Sequence, residues 1–246
     1  AAAAASLLLL TSCLGESNNT VTRAGFGVAG LSEKTYKTVL NTNMGALYSP
    51  SLSAQVVDGA CYLINYELDL NSPENANANT NGFYVATGAA SSPLAKYSLD
   101  FSPLDSTALD NELLLSGSES ALLFSNNYKR IVVIPTFASV LTDQKNTYTM
   151  SMDYDQEPET VDGTDRVYTL CIRAQKREEG KAPTISNAMD PIAVEGGSLY
   201  SMLKGKESAA GKKVVSYRVK YPLTFNSDST KIATWGYSKI SQFSIE

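Results

Sequence analysis

The chain has 246 residues, with 20 basic and 25 acidic side chains and no histidine. Because imidazole is absent, the sequence excludes Ser-His-Asp and Cys-His catalytic relays, HExxH zinc sites and His-ligated haem or copper. With 43% hydrophobic and 18% charged residues, the composition is that of a folded globular protein and excludes a disordered or collagen-like chain.

An apolar segment without a charged residue occupies residues 1–13. At about 12 residues it is too short to cross a bilayer of about 30 Å as a helix, and small residues precede its cysteine, as a cleavage site requires. Leu10-Thr11-Ser12-Cys13 resembles the bacterial lipobox, in which the cysteine is acylated. We predict that residues 1–12 are a signal-peptide remnant and that the lipid on Cys13 anchors the protein to a membrane, with residues 13–24 as a tether. The alternative is a buried helix that begins at Ala1.

Charge is unevenly distributed along the chain. Residues 1–165 hold 7 basic and 18 acidic side chains, whereas residues 166–246 hold 13 basic and 7 acidic ones. The lysines of the second segment are scattered around Glu207, which is typical of solvated loops. The isoelectric point near 4.9 also argues against nucleic acid as a partner.

Short apolar or alternating segments dominate the chain, which predicts a mostly β protein. In residues 60–70, Tyr62, Ile64 and Tyr66 fall on one face of a strand and Asn65 and Glu67 on the other. Further strands are predicted at residues 83–86, 96–101, 129–135, 147–154, 167–174 and 214–225.

Helices are expected to be few and short. The pattern predicts one short helix, with Ser198 as N-cap, residues 199–204 as its body and Gly205 as its left-handed C-terminal residue. A second helical turn is expected near residues 110–115. The Asn-rich residues 75–82 are typical of a long mobile loop.

Small polar residues at 116–120 (SGSES) and 125–127 (SNN) indicate a domain boundary between residues 112 and 127. Five short strands before it suit a small OB-like β-barrel, and about seven longer ones after it suit an antiparallel β-sandwich. We therefore predict an OB-like barrel over residues 25–112 and a sandwich over residues 113–246.

Two segments resemble the NigD-like lipoproteins of Bacteroidetes. Residues 37–47 (KTVLNTNMGAL) and 57–68 (VDGACYLINYEL) are similar to the strand, D-x-G-x-x-L turn and D-G-x-R-V-x-V-x-Y strand of that family, and residues 167–174 are similar to a central strand of its second domain. Cys61 stands where the family usually has Arg, and Asn43-Met44-Gly45 replaces the usual Asp-containing turn. The resemblance implies an N-terminal OB-like barrel, a C-terminal β-sandwich and a lipid anchor, with no established activity.

The densest acidic segment, residues 153–165, offers a candidate metal site. Asp153, Asp155 and Glu157 alternate as in a calcium loop, although Pro158 and Thr164 replace the Gly and Glu of an EF-hand. We expect the segment either to bind a structural calcium ion or, with no cofactor, to form a solvated hairpin tip.

Trp235 and Tyr237 share strand parity and form a candidate platform for a ligand, unless both pack in the core. Cys61 and Cys171 lie in different predicted domains. They could pair in an oxidising compartment, but two separate buried thiols are favoured.

These features predict a non-catalytic lipoprotein of the bacterial outer membrane, on its periplasmic or its surface-exposed face, with a binding or assembly role and an unidentified protein or glycan partner. The alternative is a glycan-active hydrolase or a carbohydrate-binding lipoprotein. A hydrolase requires two carboxylates roughly 5–9 Å apart, one of them with a raised pKa.

Overall fold

The structure is a computed structural model that describes residues 20–118, 122–125 and 130–245. The predicted signal-peptide remnant and Cys13 lie outside the described residues. Within them the chain divides into two compact units, residues 20–94 with 124–125, and residues 95–118 with 122–123 and 130–245. No helix in this part of the chain has both the length and the apolar character needed to cross a bilayer.

The first unit is a six-stranded antiparallel sheet that curls into a nearly closed barrel, with strand order β5-β3-β2-β1-β4-β6 and one parallel pair, β3 with β5. Its two edge strands, β5 and β6, are separated along the chain by Ala86 alone, which brings the ends of the sheet together. The elements are β1 (Thr20–Leu31), β2 (Thr38–Thr42), β3 (Gly45–Tyr48), α1 (Pro50–Ser53), β4 (Cys61–Asp69), a 3-10 helix (Pro73–Asn75), α2 (Ala78–Asn81), β5 (Tyr84–Val85) and β6 (Thr87–Pro93).

The alternating pattern of β4 correctly predicted the face that the barrel buries. Tyr62, Ile64 and Tyr66 are each at most 4% exposed, and they pack in one cluster with apolar side chains of β1, β2 and β3. At Gly88 of β6, a side chain would lie 2.3 Å from the carbonyl oxygen of Asn65, so only glycine lets β6 approach β4 this closely. The core therefore fills the barrel from one face of each strand.

Two features of the first unit differ from the sequence prediction. Residues 20–24, which we assigned to the tether, belong to β1, because each of them pairs with a residue of β4. In residues 75–82, where we expected a mobile loop, the 3-10 helix Pro73–Asn75 ends and α2 (Ala78–Asn81) follows. The Asn75 side chain fixes them, since its amide donates to the carbonyl oxygens of Asp69 and Val85 and its oxygen accepts from the Val85 N–H.

The second unit contains three sheets and one longer helix. Its elements are β7 (Lys96–Tyr97), β8 (Leu99–Asp100), β9 (Glu112–Leu113), β10 (Gly117–Ser118), β11 (Leu122–Ser125), β12 (Arg130–Ile134), β13 (Thr136–Thr142), β14 (Lys145–Ser151), β15 (Glu159–Val161), β16 (Thr164–Glu178), β17 (Lys181–Met189), β18 (Ile192–Glu195), α3 (Gly197–Ala209), β19 (Val214–Phe225), β20 (Ile232–Tyr237) and β21 (Ser241–Ser244). The largest sheet runs β20-β19-β16-β14-β8, with β9, β15 and β21 paired to its strands.

One face of this large sheet packs against the smaller sheets and α3, as in a sandwich. Tyr168, Leu170 and Ile172 of β16 are fully buried there, in one cluster with residues of β12, β18 and α3. The predicted mostly β fold class is confirmed, but the sheets are mixed. β16 and β19 are parallel, because β17, β18 and α3 return the chain to the same end of the sheet. β14 with β8 and β18 with β7 are also parallel pairs.

The second unit begins at residue 95, earlier than the boundary between residues 112 and 113 that composition suggested. Buried contacts hold the intervening segment to β16. Arg173 donates to the carboxylate of Glu112 and to the carbonyl oxygen of Thr107, and Glu112 pairs in β9 with Gln175 where we expected a helical turn.

Candidate binding cleft

An open cleft of about 350 Å³ lies in the second unit, where α3 ends and β16, β19 and β21 meet. Its size is at the lower end of the range of roughly 300–1,000 Å³ for small-molecule sites. The cleft is lined mostly by charged side chains of both signs and by neutral polar side chains. The lining residues are Thr164, Asp165, Arg166, Glu207, Lys212, Lys213, Val214, Ser216 and Gln242.

The hairpin between β15 and β16 directs Arg166 toward this cleft. Asp162 and Gly163, with φ of 48° and 79°, form a turn of the Asp-Gly kind that suits the twist of a hairpin. The register then shifts by one residue, so that a bulge precedes Val167. Arg166 adopts a φ of 56°, a left-handed conformation that costs a non-glycine residue about 1–3 kcal/mol. Bulges of this kind redirect a side chain next to functional sites.

The C-terminus of α3 forms the opposite wall. The Gly211 N–H donates to the Ser208 carbonyl, and the Lys212 N–H donates to the Glu207 carbonyl, with Gly211 at a φ of 72°. These two bonds define a Schellman motif, which ends the helix at a fixed angle. The motif therefore fixes Lys212 beside Glu207.

Glu207 is the most deeply buried charged group of the cleft, at 1% exposure. Arg166 Nε lies 3.0 Å from both carboxylate oxygens, and Nη2 lies 2.7 Å from Oε1. The Tyr168 hydroxyl donates to the same Oε1 at 2.7 Å. The carboxylate is thus held by charge-assisted bonds from two directions.

These contacts fix the protonation state of the cluster. Burial by itself raises the pKa of Glu207, but the hydrogen bonds from Arg166 and Tyr168 and the nearby positive charges outweigh it and hold the pKa below its usual value. Burial and the neighbouring Glu207 raise the pKa of Tyr168 to about 12. At neutral pH the cluster therefore consists of a carboxylate, a guanidinium and a neutral phenol.

The lowered pKa of Glu207 leaves the buried carboxylate of the cleft without a proton at neutral pH. A general acid needs a raised carboxyl pKa. In the described part of the chain, every carboxyl with a clearly shifted pKa has it lowered: Asp105, Glu207 and Asp228.

The structure does not bring the three predicted calcium ligands together. Asp153 Oδ1 accepts the Asp155 N–H at 3.0 Å, and the side chains of Asp155 and Glu157 are exposed. Within the described ranges, no group of three His, Cys, Asp or Glu side chains is placed to hold a metal ion. The segment joins β14 to β15, and its backbone is held by Lys206, which donates to the Tyr154 carbonyl oxygen.

Trp235 and Tyr237, the candidate platform, occupy alternate positions of β20, and cations lie over their rings. The Lys220 ammonium lies 4.2 Å from the Trp235 ring centre, and the Arg218 guanidinium lies 4.1 Å from the Tyr237 ring centre. Tyr237 is 45% exposed, so this pair is not part of the core. A ligand that stacked on these ring faces would have to displace the cations.

Cys61 and Cys171 are both buried and unpaired. Burial raises the pKa of the Cys61 thiol to about 12 and that of the Cys171 thiol to about 11. Neither thiol is a nucleophile at neutral pH, because almost none of it is thiolate.

Sequence reasoning did not identify Arg166 or Glu207 as a pair. The two residues are 41 positions apart, in a hairpin and a helix that periodicity does not relate. The sequence contained one local signal for Arg166: the Asp162-Gly163 turn predicts a hairpin, and Arg166 follows that turn closely.

Residues 17–92 match the family model of the lipoprotein OB domain. An uncharacterised protein of Parabacteroides merdae is 68% identical, with 91% of this chain and 99% of that chain covered and a TM-score of 0.85. A candidate lipoprotein of Bacteroides fragilis is 12% identical, with 89% and 98% covered and a TM-score of 0.54, which shows a common fold alone. A NigD-like immunity protein of Bacteroides caccae is 11% identical, with 87% and 91% covered and a TM-score of 0.44. No curated protein matches the chain.

Proposed function

Because this chain belongs to the family of the Parabacteroides merdae protein, Bacteroidetes lipoproteins with an N-terminal OB domain, we propose that it is a non-catalytic binding or assembly protein of the outer membrane. Its anchor is a lipid on Cys13. Acyl chains contribute about 0.8 kcal/mol per buried methylene, so two or three chains hold a domain at a membrane without a spanning helix.

The pairing of Glu207 is the observation that supports a non-catalytic role. Its carboxylate is buried, ionised and bonded to Arg166 and Tyr168, and it has no proton to donate to a leaving group. A glycan-active hydrolase is the weaker proposal, because it needs a protonated carboxyl opposite a second carboxylate. A carbohydrate-binding role requires no such acid.

Palmitate labelling tests the anchor. We expect cells that express the full precursor to incorporate radiolabelled palmitate into the protein, and we expect Cys13→Ser to lose the label and leave the membrane fraction. Cys61→Ser is the matched control, because it removes a buried thiol and leaves Cys13 intact. Label that persists in Cys13→Ser would refute the anchor.

A reducing-end assay with a panel of polysaccharides tests the non-catalytic part. We expect no release of sugar above that of a heat-denatured sample. Sugar release by the wild-type protein that is lost in Glu207→Gln would instead show that the protein is a hydrolase.

A further inference from the structure

We propose that the cleft at Glu207 binds an acidic sugar, of the uronic acid class, through Arg166 and Lys212. The inference rests on the proposed binding function and assigns it a site and a ligand class.

Lys212 is the cation of the cleft that is most available to an anionic ligand. It lies in the lining with Arg166 and the two carboxylates Asp165 and Glu207. Glu207 is paired with Arg166, while Lys212 and Asp165 are 3.8 Å apart and both well exposed. An exposed pair this long contributes little, so Lys212 can bind another anion at small cost.

Arg166 has donors left for a ligand after pairing with Glu207. Its bonds to Glu207 and Tyr168 use Nε and Nη2, and Nη1 has no hydrogen-bond partner among the described residues. The Arg166 side chain is 28% exposed at the cleft. The planar guanidinium suits a carboxylate better than an ammonium does, because its N–H groups form a fixed fork.

The remaining lining suits a ligand rich in hydroxyl groups. Thr164, Ser216 and Gln242 offer hydroxyls and an amide, and Gln242 Nε2 donates to Ser216 Oγ at 3.0 Å. Val214, at 44% exposure, is the single apolar side chain of the lining and could contact one face of a sugar ring. A purely apolar ligand would leave these polar groups without partners, which is costly in a closed contact.

Backbone hydrogen bonds define both walls of the cleft. The bulge sets the backbone at Arg166 on the hairpin side, and the Schellman motif sets the backbone at Lys212 on the helix side. A backbone held in this way lowers the entropic cost of binding a small ligand.

Calorimetric titration of the folded chain tests the proposal. We expect galacturonic acid to bind with a Kd of roughly 1 mM, as is typical of a few charge-assisted hydrogen bonds in water. We expect this affinity to fall as the salt concentration is raised. Galactose, which lacks the carboxylate, and acetate, which lacks the ring, are expected to bind at least about tenfold more weakly. Inorganic phosphate is the probe for a bare anion site.

Two variants with the same loss of charge separate the cleft from the general surface. Lys212→Gln is expected to weaken galacturonic acid at least about fivefold, whereas Lys239→Gln, an exposed lysine outside the cleft, leaves the affinity unchanged. Circular dichroism of each variant confirms that it is folded.

Three results would overturn the proposal: no binding of galacturonic acid up to 50-fold above the expected Kd of about 1 mM, equal affinity for galactose, acetate or phosphate, or an unchanged affinity in Lys212→Gln. None of them bears on the lipid anchor or on the absence of catalysis, which palmitate labelling and the reducing-end assay test separately.

Discussion

At the scale of single residues, Arg166 is strained and Glu207 compensates for that strain. The left-handed backbone of Arg166 costs about 1–3 kcal/mol, and a non-glycine residue keeps it only where other contacts stabilise it. The paired bonds to Glu207 supply those contacts, and charge-assisted hydrogen bonds are worth about 1.5–3 kcal/mol each. The cluster therefore fixes the hairpin relative to α3.

We expect Glu207→Gln to lower the free energy of unfolding by about 2 kcal/mol at pH 7, because the buried guanidinium edge loses its charged partner. Tyr168→Phe is the matched variant, since it removes one neutral donor and keeps the ion pair, and we expect it to cost about 1 kcal/mol. Urea unfolding measures both. A larger loss in Tyr168→Phe than in Glu207→Gln would contradict this account.

The same comparison at low pH checks the sign of the pKa shift. Because the pKa of Glu207 is lower in the folded state than its unfolded value of about 4.3, its stabilisation is present above that value and is lost as the pH falls through the folded pKa. We therefore expect the difference between wild type and Glu207→Gln to shrink between pH 5 and pH 2. A difference that grows in acid would mean that the pKa of Glu207 is raised, not lowered, in the folded state.

At the scale of elements, α3 shows how a correct helix prediction can end at the wrong residue. Gly205 looked like the C-terminal residue, but the helix continues to Ala209 and Gly211 takes the left-handed conformation instead. Propensity alone favours a stop at the first glycine. The additional turn is stabilised by Glu207, whose partner lies in a distant hairpin that local sequence does not show.

The two glycines of α3 are expected to respond to alanine in opposite directions. Gly205→Ala has open space around it and should raise the free energy of unfolding by roughly 0.5–1 kcal/mol, as is usual inside a helix. Gly211→Ala forces a side chain into a φ of 72° and should lower it by about 1 kcal/mol. Urea midpoints of the two variants measure this. Stabilisation by Gly211→Ala would refute the Schellman end of α3.

At the scale of the whole molecule, the alternation of apolar and polar residues predicted more of the structure than the amino-acid composition did. The face of β4 that carries Tyr62, Ile64 and Tyr66 was readable because one side of a barrel strand is buried and the other is not. The sequence also predicted β19 with its observed bounds, Val214–Phe225. The pairing of the strands could not be predicted from the sequence, because the pairing of β16 with β19 depends on contacts between distant segments. The Arg166 cleft was missed for the same reason.

The two units each contain one buried thiol, which gives a test of their packing. In a Cys13→Ser chain we expect neither Cys61 nor Cys171 to react with Ellman's reagent at pH 8 over an hour, because burial raises both pKa values and blocks access. Both should react within seconds in urea. Absorbance at 412 nm measures the reaction.

Cys61→Ser and Cys171→Ser serve as the controls for this experiment, since each leaves one reporter in one unit. Fast reaction of either thiol in buffer would show that its strand, β4 or β16, is not packed as described. A disulfide found by mass spectrometry would contradict two separate thiols.

The parallel pairing of β16 with β19 has a consequence for synthesis of the chain. Thr169 and its partner Arg218 are 49 residues apart, and a ribosome adds roughly 5–20 residues per second. For several seconds, one edge of β16 therefore emerges without the strand that will cover it. An unpaired edge of an apolar strand invites association with other nascent chains. The yield of native molecules thus depends on what shields that edge during the delay.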